Sequence, residues 1–169
     1  QIGAVFYKYG KQDEYDKFIL TLGSCDKFSD DSIIIDTKDE NNKLKSSNII
    51  IEEALKYDID VFWIGARTTV NPFAVQEIAD ALKGTNKPIM VKNPINPDIN
   101  LWMGAIERFN AVGLTKIAAI HRGFFAYNNS KYRNIPQWQL PIELRQRIPG
   151  IPMICDPSHI SGNRNLIFD

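Results

Sequence analysis

The sequence predicts an α/β fold built on parallel strands, and three observations carry that prediction. Apolar runs of strand length alternate with segments of helical period in the second part of the chain. Those runs are apolar throughout rather than every second residue, as strands buried on both faces are. Cap and breaker residues stand at the boundaries between the two kinds of segment. Right-handed βα units in series make either a TIM barrel or an open doubly wound sheet, and four strands alone do not separate the two.

Taken in order, DVFWIG (60–65) reads as a strand. Asn71 and Pro72 follow as N-cap and first helical residue, with Val75, Ile78, Ala79 and Leu82 at helical spacing and Gly84 as the stop. KPIMVK (87–92) is a second strand. A helix is expected from about Asp98 to Ala111, with Ile99, Met103, Ile106 and Phe109 on one stripe. TKIAAIHR (115–122) is a third strand, FFAYNNSKYRNIPQW a loop, and Pro141 the start of a helix that Pro149-Gly150 ends. IPMICD (151–156) is a fourth strand. Upstream, AVFYKY and SIIID read as short strands, DEYDKFILTL as a helix, and DTKDENNKLKSSN as a polar loop. NIIIEEALKYDID reads as a helix leading into the first clear strand.

Composition narrows the function classes. A chain of 169 residues with 44% hydrophobic and 24% charged residues is expected to form one soluble globular core. No apolar run reaches the roughly 18 residues of a membrane span, and the start of the chain is too polar for a secretory signal. The net charge of zero gives no footprint for nucleic acid. Neither a membrane nor a nucleic-acid partner is expected. Cys25 and Cys155 make no disulfide framework, which fits a reducing cytoplasm. Cys155 lies within an apolar strand and reads as a core thiol. The charge is unevenly spread. Residues 1–60 carry 13 acidic and 8 basic side chains, and every arginine and proline follows residue 66. A segment of divergent composition (1–50) ahead of an α/β domain (51–169) is the expected division.

The candidate site lies at the strand ends. The four strands run into Gly65-Ala66-Arg67-Thr68, Lys92-Asn93-Pro94, His121-Arg122-Gly123 and Asp156-Pro157-Ser158-His159. Ligands of parallel α/β folds collect at the carboxyl ends of the strands. One cation after a strand is ordinarily a solvated loop residue. Three in succession, Arg67, Lys92 and Arg122, point to an anion held between them, because clustered cations repel and an anion relieves the repulsion. His159 is either an ordinary histidine or a metal-ligand candidate in the same cleft. No glycine-rich nucleotide loop and no G-x-S-x-G elbow is present.

WIGARTTVNPFAVQEIADALKG, PIMVKNPINPD, AAIHRGF, YRNIPQWQLPIELRQRIP and CDPSHISGNR together resemble the 3-deoxy-7-phosphoheptulonate (DAHP) synthase family, in the branch related to octulosonate-phosphate synthase. The likeness runs from about Ile51 to Ile167. It implies a TIM (β/α)8-type barrel, here incomplete, with strands resembling the fourth to seventh. It also implies condensation of phosphoenolpyruvate with erythrose 4-phosphate, the first step of the shikimate route to aromatic amino acids, with a divalent metal ion such as Mn2+. By the same resemblance Ala66, Arg67, Lys92 and Arg122 bind phosphoenolpyruvate, Lys92 is also catalytic, and His159 is a metal ligand. The family's Lys-Pro-Arg segment has no counterpart, since no proline precedes residue 72. The family's metal-binding cysteine stands in a Pro-Cys-Ser context, whereas Cys25 stands in Gly-Ser-Cys-Asp. A partial barrel leaves open sheet edges, so a homo-oligomer is expected. The contrasting expectation is a half-barrel that binds phosphoenolpyruvate, or serves as a scaffold, without catalysis.

Overall fold

The computed structural model describes residues 47–57, 59–125, 127 and 131–167, together with the backbone of strands at 4–9, 17–22 and 34–35. Cys25 and most of the polar stretch at 36–48 lie outside the described residues.

The chain order is β1 (Ala4–Tyr9), β2 (Lys17–Leu22), β3 (Ile34–Ile35), α1 (Ser47–Leu55), β4 (Val61–Ile64), α2 (Ala66–Thr69) and α3 (Pro72–Leu82). It continues with β5 (Ile89–Lys92), α4 (Ile99–Ala111), β6 (Ile117–His121), α5 (Gln139–Arg147), β7 (Met153–Cys155), α6 (Pro157–Ser161) and a 3-10 turn at Arg164–Leu166. One sheet holds seven strands in the order β3-β1-β2-β4-β5-β6-β7. From β2 to β7 neighbouring strands are parallel, whereas β1 pairs antiparallel with both β2 and β3.

The α/β reading from sequence holds, with β4 to β7 as the four expected strands. Asn71 caps α3 by accepting from the Phe73 and Ala74 amides, and Pro72 opens the helix. Asp98 caps α4 in the same way through the Asn100 and Leu101 amides. Two expectations need correction. The 17–22 part of DEYDKFILTL is strand, because its backbone finds partners on both sides, β1 and β4. Helix α5 starts at Gln139, two residues before Pro141. A proline within the first turn gives up only an amide that has no intrahelical partner.

The period of two sorts β4 to β7 into two faces. On one face Phe62, Ile64, Ile89, Val91 and Ala119 are fully buried and form a core with Ile50, Ile78, Leu82, Trp102 and Phe109 from the helices. Helices α1, α3, α4 and α5 neighbour each other in that order, as one layer over this face. Trp102 is the largest buried side chain, and its indole N–H donates to the Val91 carbonyl at 3.1 Å. The other face carries Trp63, Met90 and Ala118, which are half-buried, and Ile154, which is exposed. In a closed barrel that face would be the lumen. Among the described residues the sheet is open, and Trp63, Met90, Ala118 and Ile154 keep part of their surface in solvent while Ile120 is buried.

His121 belongs to the covered side. It is 1% exposed, with its ring 4.8 Å from that of Trp138 and 5.9 Å from that of Phe124. Burial, and then the neighbouring Arg122 guanidinium, lower its pKa to about 4. The neutral ring is therefore the folded form. Its stability contribution is complete above the unfolded value of about 6.5 and is lost as pH falls through 4. Thermal melts are expected to lose up to roughly 3 kcal/mol across that window. A His121→Phe variant is expected to melt at a constant temperature between pH 6.5 and 5. Equal acid sensitivity in the two proteins would refute this.

Candidate anion site at the strand ends

The strand ladders deliver the predicted residues to one end of the sheet. Lys92 is the last residue of β5 and Arg122 follows β6 directly. Lys92 is 7% and Arg122 8% exposed, low for side chains that are seldom buried without a compensating partner. Arg67 and Ala66 lie in α2, the short turn that follows β4 and Gly65, with Arg67 exposed and Ala66 half-buried. His159 lies in α6, half-buried, three residues past the position where β7 hands over to Asp156.

Asp156 ties this group together. One carboxylate oxygen receives the Lys92 ammonium at 3.0 Å and His159 Nδ1 at 2.8 Å. The other accepts from the Ser158 hydroxyl at 2.8 Å and the His159 amide at 3.2 Å, which makes Asp156 the N-cap of α6. The Lys92 ammonium also sits 4.4 Å from the ring centre of Trp63, an attractive cation–π distance. Burial alone would raise the Asp156 carboxyl. The hydrogen bond from His159 and the charge of Lys92 outweigh it and hold the group well below the usual carboxylate range. Burial lowers the Lys92 pKa, with Arg122 adding repulsion and Asp156 opposing both. Burial also lowers Arg122; Arg133 and Arg67 repel it, and Asp156 attracts it. Among the described residues, the electrostatic surroundings of Arg122 thus include Lys92, two more arginines and the Asp156 carboxylate. An anion entering here would relieve that repulsion.

Two contributors were not legible as such. Asp156 stands at a strand end in the sequence, but its grip on Lys92 and His159 depends on β5 and β7 ending at the same level. Arg133 lies in the β6–α5 connection, and three hydrogen bonds dock that stretch onto α6. They run from the Arg133 amide to the Ser161 carbonyl, from the Asn134 amide to the Ile160 carbonyl, and from the Asn134 side chain to the His159 carbonyl. A Cβ on Gly162, whose φ is +65°, would overlap the Cβ of Arg133, so the close approach requires glycine. No local signal in the sequence joins Arg133 to α6; the YRN and SG segments meet only through the fold. Cys155 needs correction: it is exposed rather than a core thiol, because β7 ends the sheet. Burial and the adjacent Asp156 push its thiol pKa up, which argues against a thiolate nucleophile.

A metal ion fits these residues poorly. The contact from His159 Nδ1 to Asp156 is the orientation a ligating imidazole has when its other nitrogen faces a metal. Yet among the described residues no three His, Cys, Asp or Glu side chains come together as a cage. One imidazole is one donor where such sites use several.

Residues 19–168 match the family described as DAHP synthetase I. The match begins well before Ile51, where the likeness read from the motifs starts, and so takes in part of the segment of divergent composition. A phospho-2-dehydro-3-deoxyheptonate aldolase of Thermotoga maritima is 28% identical over 109 residues, which is 64% of this chain and 30% of that protein. A solved truncated form of 3-deoxy-D-arabino-heptulosonate 7-phosphate synthase from the same organism superposes with a TM-score of 0.59 at 24% identity. It covers 71% of this chain and 43% of the solved one. A crystal structure of phospho-2-dehydro-3-deoxyheptonate aldolase from Thermotoga maritima gives a TM-score of 0.58 at 23% identity, over 77% of this chain and 34% of that one. These likenesses establish the fold, an incomplete barrel of that type. The chain spans about a third of the curated relative it matches.

Proposed function

Since this chain belongs to the DAHP synthetase I family, we propose that its strand-end cluster binds phosphoenolpyruvate and serves the condensation with erythrose 4-phosphate. The observation that carries this reading is the burial of Lys92 and Arg122 at one end of the sheet, with Arg67 and Arg133 as further positive neighbours of Arg122 and Asp156 as a negative one. Phosphoenolpyruvate has a phosphate and a carboxylate on a short rigid frame, so it can take charge from several cations at once. Arginine forks suit either group, Lys92 acts as a point charge, and the Ala66 amide offers one further donor.

The methylene carbon of phosphoenolpyruvate bonds to the aldehyde carbon of erythrose 4-phosphate, whose oxygen takes a proton. Water adds at the carbon bearing the phosphate ester, the C–O bond to phosphate breaks, and 3-deoxy-7-phosphoheptulonate and phosphate leave. Lys92, Arg67 and Arg122 hold the anionic end still and stabilise charge on the departing phosphate. A divalent metal such as Mn2+ held by His159 would polarise the aldehyde, but the described residues do not complete its site.

Two measurements test the reading. Phosphoenolpyruvate is expected to bind in the presence of EDTA as tightly as with added Mn2+, within about twofold, because protein cations carry the affinity. A tenfold loss in EDTA would show a metal contribution instead. Phosphate release with both substrates then separates the two roles of the chain. Turnover abolished by Lys92→Ala supports the synthase. Binding without turnover supports a half-barrel that holds phosphoenolpyruvate and lacks the catalytic remainder, a role favoured by the open lumen face and β7 edge.

A further inference from the structure

We infer that Thr69 and Asn93 are positioning residues that lace three strand ends together, and so set the spacing of Arg67, Lys92 and Arg122. The inference rests on the phosphoenolpyruvate reading above and deepens it. The backbone ladder stops just where the cations begin. The β4–β5 pairing ends at Ile64 with Val91, and the β5–β6 pairing at Lys92 with Ile120. Past those pairs two buried polar side chains take over. Thr69 is 1% exposed, and its hydroxyl lies 2.9 Å from the Lys92 carbonyl and 3.1 Å from the Gly65 carbonyl. It therefore joins the end of β4 to the end of β5. A hydroxyl has one proton, so it serves one carbonyl at a time.

Asn93 is fully buried and joins β5 to β6. Its side-chain oxygen accepts from the Arg122 amide at 2.7 Å, and its NH2 group donates to the Gly123 and Pro94 carbonyls, both at 2.8 Å. Its backbone amide adds a bond to the Ile120 carbonyl at 2.9 Å. Packing alone would be served as well by valine at 69, and a buried polar group is costly unless bonded. What these bonds hold fixed is the backbone of Lys92 and Arg122 themselves. A rigid two-ended anion needs that spacing, whereas a small tetrahedral anion can settle on fewer cations.

The test titrates phosphoenolpyruvate and, separately, inorganic phosphate into wild type, Thr69→Val, Thr69→Ser and Asn93→Asp, with thermal melts of each. Thr69→Val removes the hydroxyl at nearly constant volume. Asn93→Asp keeps the acceptor for Arg122 and loses both donors. Both are expected to weaken phosphoenolpyruvate roughly 10- to 100-fold, with phosphate changed less than about threefold and Thr69→Ser close to wild type. If Asn93→Asp does not fold, the Thr69 pair decides. A folded Thr69→Val that binds phosphoenolpyruvate like wild type, or loses both anions equally, overturns the inference. Wild type that fails to bind phosphoenolpyruvate overturns the parent reading and this one with it. Unchanged variants beside a binding wild type overturn this one alone.

Discussion

Replacing Lys92 with alanine is expected to weaken phosphoenolpyruvate binding by at least about 100-fold while the chain still unfolds cooperatively. Lys92 is 7% exposed, with Trp63 on one side of its ammonium and Asp156 on another, so its charge is little screened by water. A ligand anion taking the place of Asp156 would receive a desolvated charge. Removing that charge also leaves the Asp156 carboxylate facing the incoming anion without its ammonium partner, which adds repulsion. Calorimetric titration beside a thermal melt is the check. A variant that binds within threefold of wild type would mean that Lys92 is held by Asp156 for structural reasons alone.

Replacing Asp156 with alanine is the change expected to cost most stability, roughly 3–5 kcal/mol near neutral pH. Asp156 is 8% exposed and serves Lys92, His159, the Ser158 hydroxyl and the α6 N-terminus together. Alanine removes the cap and leaves Lys92 among arginines with no counter-charge. Asp156→Asn keeps an oxygen for the cap and should lose less. The pH dependence has a definite sign. The folded carboxyl is held below its ordinary value, so its contribution is present above about pH 4 and is lost as pH falls further. Urea titrations of wild type and variant should converge in acid below that point. A loss under 1 kcal/mol at pH 7 would mean that the Lys92–Asp156 pair is balanced by its own desolvation.

Much of the fold was legible because its signals are local. Asn71-Pro72 and Asp98 mark helix starts by side-chain bonds that span three residues. The strands from Val61 to Cys155 announce themselves as apolar runs between those caps. The strand at Lys17–Leu22 reads locally as helix, and it takes its strand conformation from distant partners, β1 and β4. Tertiary pairing overrides local propensity in such segments.

The site divides the same way. Arg67, Lys92 and Arg122 could be named because each follows its strand directly. Asp156 was visible, but its role was not, since a contact with Lys92 crosses 64 residues of chain. Arg133 is masked by its setting in an irregular connection, and only the docking of that connection onto α6 brings it near Arg122. Cys155 reads as a core thiol because an apolar strand implies cover on both sides, whereas β7 is the last described strand of the sheet and leaves it exposed.

Calorimetric titration of phosphoenolpyruvate into the chain as it stands, in EDTA, tests the central claim most directly. Saturable one-to-one binding, weakened by salt and lost in Lys92→Ala, is the predicted result. A flat titration against a cooperatively folded chain, or binding that survives Lys92→Ala unchanged, would contradict it.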